Sequence, residues 1–203
     1  MKTKIVLLTL IVFVLMQLNA VAQKINYGIV AGVDMANLNI TGIETKNPIK
    51  WTPTFNVNAH VGYRSNTFWG LSVEPGFIVK GGATEDPEIK MKLNYLQMPL
   101  LVDFYLNERV SVSCGPELAY LLSAKQEWER ETYDLEDWYN KKFEFSGVVG
   151  LNYKITRNFD LGLRFNLGLT QISEAKYFDE NGIRFSNAKE YNQYLQCFVR
   201  FKI

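Results

Sequence analysis

The sequence predicts an all-β fold, an eight-stranded antiparallel up-and-down transmembrane β-barrel with short turns at one end and long loops at the other. Three observations lead there. Stretches of strict period-two alternation recur along the chain, the connections between them alternate long and short, and the polar parity of those stretches is crowded with glycine and serine. Side chains alternate across a strand, so each stretch has one apolar and one polar face.

The strands follow in order. The first, 27–35, carries Gly28 and Gly32 on its polar parity. The second, 51–63, sets Phe55, Val57, Ala59, Val61 and Tyr63 against Asn56, Asn58, His60 and Gly62. The third, 67–80, puts Gly70, Ser72, Glu74 and Gly76 on the polar face. In the fourth, 91–105, Leu96, Met98, Leu100, Val102 and Phe104 form the apolar face, opposite Tyr95, Gln97, Leu101 and Asp103. The fifth, 109–122, sets Val110, Val112, Cys114, Pro116, Leu118 and Tyr120 against Ser111, Ser113, Gly115, Glu117 and Ala119. The sixth, 143–154, has Ser146 and Gly150 on the polar parity. The seventh, 158–172, alternates as clearly as the second, with Phe159, Leu161, Leu163, Phe165, Leu167 and Leu169 opposite Asp160, Gly162, Arg164, Asn166 and Gly168. The eighth is 191–203. Pro75, Pro99 and Pro116 lie inside strands, where each lacks a ladder donor and is expected to mark a bulge or a local break in pairing.

Long connections fall at 36–50, 81–90, 123–142 and 173–190, and tight ones at "RSNT", "LNER" and "KITRN". Every tight turn contains an asparagine, which tolerates the left-handed backbone such turns use. An even number of strands with this rhythm is the pattern of a membrane barrel.

Alternation alone does not say whether the apolar face meets a protein core or lipid. A soluble carrier barrel buries its apolar parity and solvates the polar one, which then has no reason to be small. Here the polar parity is small, as the interior of an eight-strand barrel requires, so it points inward and the apolar parity faces lipid. Aromatic residues agree. Tyr27, Tyr63, Trp69, Phe104, Tyr153, Phe159 and Phe201 lie near the tight turns, and Trp51, Phe77, Tyr120 and Phe143 near the long loops. Two such bands read as interfacial girdles.

The N-terminus has a basic start, "MKTK", a 14-residue apolar run, "IVLLTLIVFVLMQL", and the small-x-small site Ala20-Val21-Ala22. That is the pattern of a secretory signal peptide over 1–22, and the run is too short for a membrane anchor. Residues 23–203 then form the barrel domain. Beyond the signal no apolar run suits a membrane helix. A mean hydropathy of −0.10 is compatible with a barrel, in which only every second strand residue faces lipid. Lys+Arg 22 against Asp+Glu 21 gives no basic surface for nucleic acid. Cys114 and Cys197 sit on the apolar parity of separate strands; the exported compartment permits a disulfide, and free buried thiols are the favoured reading.

"YGIVAGVDMANLN", "LSVEPGFIVKGG", "LNYLQMPLL", "CGPELAYLL" and "LRFNLGLTQIS" resemble the PorT-like outer-membrane β-barrel family, across essentially the whole exported chain. The final "FVRFKI" looks like the terminal strand that the barrel-assembly machinery reads. The resemblance implies a bacterial outer-membrane protein with periplasmic short turns and extracellular loops. It implies lipid and, during biogenesis, the assembly machinery as partners. It transfers no activity residue by residue.

For chemistry, the single histidine, His60, falls on the inward parity near the tight-turn end with no spacing that picks out a nucleophile or an orienting acid. It is read as a lumen hydrogen-bonder. No metal, cofactor or phosphate-loop motif appears. The inward charges Glu74, Asp103, Glu117, Asp160, Arg164 and Arg200, with His60, form the expected lumen network. In it Asp160 faces Arg200 near the tight turns, and Glu74 and Glu117 share Arg164 at mid-height. Enclosed charges are costly unless paired, so the lumen is expected to be a closed polar plug. Loop 123–142, "SAKQEWERETYDLEDWYNKK", mixes acids with Trp128, Tyr133, Trp138 and Tyr139. It reads as a solvated loop or a hairpin extending its strands, and it is the candidate surface for a protein partner or a hard cation. Two functional classes fit: a non-enzymatic structural or interaction module, with secretion among its candidate roles, and an outer-membrane enzyme or lipid-binding barrel of lipase or acyltransferase type.

Overall fold

The computed structural model describes residues 25–41, 49–65, 68–85, 88–129, 131–136, 138–139, 141–174, 177–178, 184–185 and 189–203. The signal-peptide reading of 1–22 lies outside them, as do parts of the loops at 36–50 and 173–190. Eight long strands close into one antiparallel ring: β1 (Ile25–Thr41), β2 (Thr52–Arg64), β3 in two halves (Trp69–Val73 and Gly76–Ala83), β4 (Ile89–Tyr105), β5 (Val110–Trp128), β6 (Phe143–Lys154), β7 (Phe159–Gly168) and β8 (Lys189–Lys202). The ring shuts where β1 meets β8, from Gly28↔Lys202 through Thr41↔Lys189. Closure leaves no open edge in the barrel wall, so its backbone donors and acceptors are paired within the sheet, as a lipid environment demands.

The period-two pattern of β7 becomes strict alternation in space: Phe159, Leu161, Leu163, Phe165 and Leu167 are exposed, whereas Asp160, Gly162, Arg164, Asn166 and Gly168 are buried. The same holds around the ring, where Ile29, Val33, Phe55, Val57, Leu96, Leu118, Phe145, Val149, Leu195 and Val199 all face outward. A continuous apolar belt of this size is stable only in lipid, where each large side chain gains roughly 1.5–3 kcal/mol over exposure to water.

One expectation narrows and two change. Of the bulge or local break expected at the prolines, the local break is what occurs, and none of the prolines shifts the register. Pro75 interrupts β3, yet the Pro75 carbonyl accepts the Ala59 N–H at 2.8 Å and the Pro99 carbonyl accepts the Glu74 N–H at 3.1 Å, so pairing resumes in phase. Pro116 pairs with Gly147, and the β4–β5 ladder only lapses between Pro99↔Glu117 and Val102↔Cys114. The one register shift of that ladder lies at Asn94/Tyr95. A missing donor therefore costs a bond here without inserting a residue. Second, Cys114 and Cys197 are free thiols but exposed rather than buried, because the apolar parity they share is the lipid-facing one. Third, the loop expected at 81–90 contracts to 84–88, since β3 and β4 run on in register from Gly76↔Gln97 to Ala83↔Lys90. Beside them β5 continues to Trp128 and turns back at Glu129, whose φ is 48°, into Glu131–Asp134, which pairs with Lys125–Trp128. Loop 123–142 is thus partly a hairpin standing on the barrel rim.

Candidate functional site

Two charged clusters and an apolar cap fill the lumen. The lower cluster, toward the tight turns, centres on Glu74, the fully buried residue beside the break in β3. Its Oε1 takes the Arg164 Nη2 donor at 3.0 Å and the Arg200 Nη2 donor at 2.8 Å, and lies 2.9 Å from His60 Nδ1. Arg164 Nη1 also donates to Oε2, which makes that pair bidentate. His60 Nε2 lies 2.9 Å from Asn26 Oδ1, so both ring nitrogens are engaged. Arg200 Nη1 donates to Asp160 Oδ2 at 3.3 Å, and Lys202 Nζ donates to Asp160 Oδ1 at 2.8 Å. The Phe198 ring lies between the two arginines, 4.2 Å from the Arg164 guanidinium and 5.5 Å from that of Arg200. Gly162 makes room for it: a Cβ there would come within 2.2 Å of the ring.

The upper cluster centres on Lys80, which is fully buried and donates to Glu117 Oε1 and Glu144 Oε1, both at 3.0 Å. Tyr194 donates its hydroxyl to Glu117 Oε2 at 2.6 Å, and Asn192 Nδ2 donates to Glu144 Oε2 at 2.7 Å. The rings of Tyr95 and Tyr194 flank the ammonium at 5.0 and 5.3 Å. Above it, Leu38, Ile78, Leu93, Tyr95, Leu121, Tyr139, Ile172 and Tyr194 pack into an apolar cap.

All seven lumen residues read from the sequence are buried inside the ring, but the pairing differs from the one expected. Asp160 meets Arg200 as expected. Arg164 serves Glu74 alone; Glu117 pairs instead with Lys80, a partner the sequence reading missed along with Glu144. Both lie on the inward parity, yet at the ends of the strands as read, where strand and loop were hard to tell apart. Asp103 stays outside both clusters and accepts from Ser72 at 2.9 Å and from Ser113. At the tight-turn mouth a cavity of about 110 Å³ is lined by His60, Asp103, Asn152, Asp160 and Arg200.

On the rim hairpin Trp128 is 39% exposed and Tyr133 42%, and on the turn beyond it Trp138 is 58% exposed. Tyr133 donates to Glu131 at 2.5 Å, and that bond raises its phenol above the ordinary value. Tyr139 departs from the partner-surface expectation: at 3% exposure it is part of the apolar cap, because Ser173 holds the Trp138 carbonyl at 3.2 Å and turns the next side chain inward. Among the described residues no group of acids, cysteines or histidines is arranged to hold a metal ion.

The profile of the outer membrane protein beta-barrel domain matches residues 21–174. The chain belongs to that family. It is accordingly a β-barrel protein of the bacterial outer membrane. Among solved structures it is similar to Neisserial surface protein A, at 19% identity with a TM-score of 0.50, covering 87% of this chain and 97% of that one. It is also similar to Ail, the attachment invasion locus protein of Yersinia pestis, at 17% identity with a TM-score of 0.46, covering 87% of this chain and 98% of that one. No curated protein matches the chain. At these identities the structural likeness speaks for the fold alone.

Proposed function

We propose that this barrel is a non-enzymatic outer-membrane interaction module with a closed lumen, and that its working surface is the extracellular hairpin at 123–139. The observation that carries this reading is the contrast between interior and tip. Inside, the carboxylates of Glu74, Glu117, Glu144 and Asp160 are matched by Arg164, Arg200, Lys80 and Lys202, and an apolar cap lies over them. Outside, the exposed rings of Trp128 and Tyr133 stand on the paired strands of the hairpin and that of Trp138 on the turn beyond them, and exposed aromatics anchor interfaces. Hydrolase or acyltransferase chemistry needs a nucleophile beside a base, whereas His60 is turned into the lumen between Glu74 and Asn26. The PorT-like resemblance makes a component of a secretion apparatus our candidate partner.

Crosslinking on intact cells tests this. The wild-type barrel should capture a surface or secretion protein, and the Trp128→Ser, Tyr133→Ser, Trp138→Ser variant should lose that capture at least about thirtyfold, which corresponds to one hot-spot residue. Equal capture by both proteins, or release of fatty acid from phospholipid by the purified barrel, would reject the reading.

A further inference from the structure

The outward face of β6 and β7 at the extracellular boundary carries a feature that the interaction surface does not use. Phe143 and Phe145 of β6 and Leu167 and Leu169 at the end of β7 form an exposed apolar column, with Phe143 the most exposed of them at 74%. Phe143 belongs to the outer aromatic band and packs against Tyr120, ring centroids 5.0 Å apart. Directly above the column, Lys141, Lys142, Phe143, Thr170 and Gln171 line an open groove of about 480 Å³. Lys141 precedes β6, two residues from Phe143, so its backbone lies no more than about 7 Å from that of Phe143, and its side chain is exposed. The position is fixed: the Lys142 carbonyl accepts the Leu121 N–H at 2.7 Å, and the Thr170 hydroxyl accepts the Phe145 N–H at 2.8 Å.

The charges of the rim are unevenly matched. Lys50, Lys90 and Lys92 have glutamate partners at 2.5 to 2.9 Å, and Lys142 has Glu136 at the longer distance of 3.3 Å. Lys141, exposed beside them, has no acidic partner among the described residues. A cation here, continuous with an acyl-facing column below, meets one abundant anion, the phosphate of a lipid headgroup.

We propose that this groove is a binding site for a phosphorylated outer-leaflet lipid, with the phosphate on Lys141 and Lys142, polar headgroup atoms on Thr170 and Gln171, and an acyl chain along Phe143, Phe145, Leu167 and Leu169. The site orders one lipid against β6 and β7 and fixes the height of the barrel in the outer leaflet.

The test reconstitutes the barrel in phosphatidylcholine nanodiscs with a minor fraction of either phosphorylated lipid A or its dephosphorylated form, and counts retained lipid by native mass spectrometry after detergent extraction. Wild type should retain the phosphorylated form preferentially. With each lysine near an anionic surface worth a several-fold factor, Lys141→Ala with Lys142→Ala should lower retention about ten- to thirtyfold. Removal of two periplasmic-side charges, Lys154→Ala with Arg157→Ala, should leave it unchanged. Heat-modifiable gel mobility reports folding of each variant, and Lys141→Gln with Lys142→Gln serves if the alanine pair fails to fold. Equal retention by wild type and variant, equal retention of the two lipid forms, or displacement of the lipid by inorganic phosphate would overturn the proposal.

Discussion

The guanidinium of Arg200, on the closing strand β8, donates to the carboxylate of Glu74, in the break between the halves of β3, at 2.8 Å although β8 and β3 are not neighbours in the ring. The bond is a strut across the lumen, and Arg164 of β7 joins it from the same side. Removal of one arm leaves a buried carboxylate short of a cation. Arg164→Ala should therefore destabilise the barrel by about 3–5 kcal/mol, read from urea titrations of refolding into detergent micelles. A loss under about 1 kcal/mol would mean that solvent reaches the cluster and screens it.

The struts also fill the bore. Purified protein should show no sustained conductance in planar bilayers, because the charges around Glu74 and Lys80 neutralise one another and Tyr139 and Ile172 lie over them. Steady single-channel currents would replace the closed lumen with a transport pathway.

Depth in the membrane can be read from charge scanning along β7. Leu163 is exposed at mid-strand, four residues beyond Phe159 of the periplasmic aromatic band. Leu163→Arg should cost about 2–4 kcal/mol of folding free energy in lipid vesicles and Phe159→Arg about 0–1 kcal/mol. Equal costs at the two sites would contradict a lipid boundary near Phe159.

The free thiols give an independent test of facing. Cys114 and Cys197 both lie on the outer surface in the apolar belt. A fluorophore on either should be quenched by brominated acyl chains and stay dark to water-soluble iodide. Protection from the lipid quencher would return them to an interior position.

Strand number and facing were legible in the sequence because they depend on parity, which each strand repeats many times. The lumen pairing was legible only where two residues lie on adjacent strands, as with Asp160 and Arg200, which stand opposite each other in the β7–β8 register. Glu74 with Arg164, and Lys80 with Glu117, span the bore, and no local pattern reports a contact across empty space. The third and fifth strands were read short for a related reason: Gly81–Ala83 and Ser123–Trp128 lose the apolar alternation, while their backbone pairing continues, whereas the seventh, read to 172, ends at Gly168. Tyr139 looked like a surface aromatic because only the fold over Ser173 turns it inward.

The seam between β1 and β8 sets the order of events in assembly. Gly28 faces Lys202 there so closely that a Cβ on Gly28 would come within 2.2 Å of the Phe201 carbonyl oxygen. Joining segments so distant in an unstructured chain carries a loop-closure entropy of about 4–5 kcal/mol, which the hairpins between them reduce as they form. Until β8 arrives, β1 and β7 are sticky ribbons with unpaired amides, so the barrel cannot mature strand by strand as it is exported. Pairing of β8 removes both edges at once, and a chain shortened within β8 would be an aggregation-prone open sheet rather than a slightly weaker barrel.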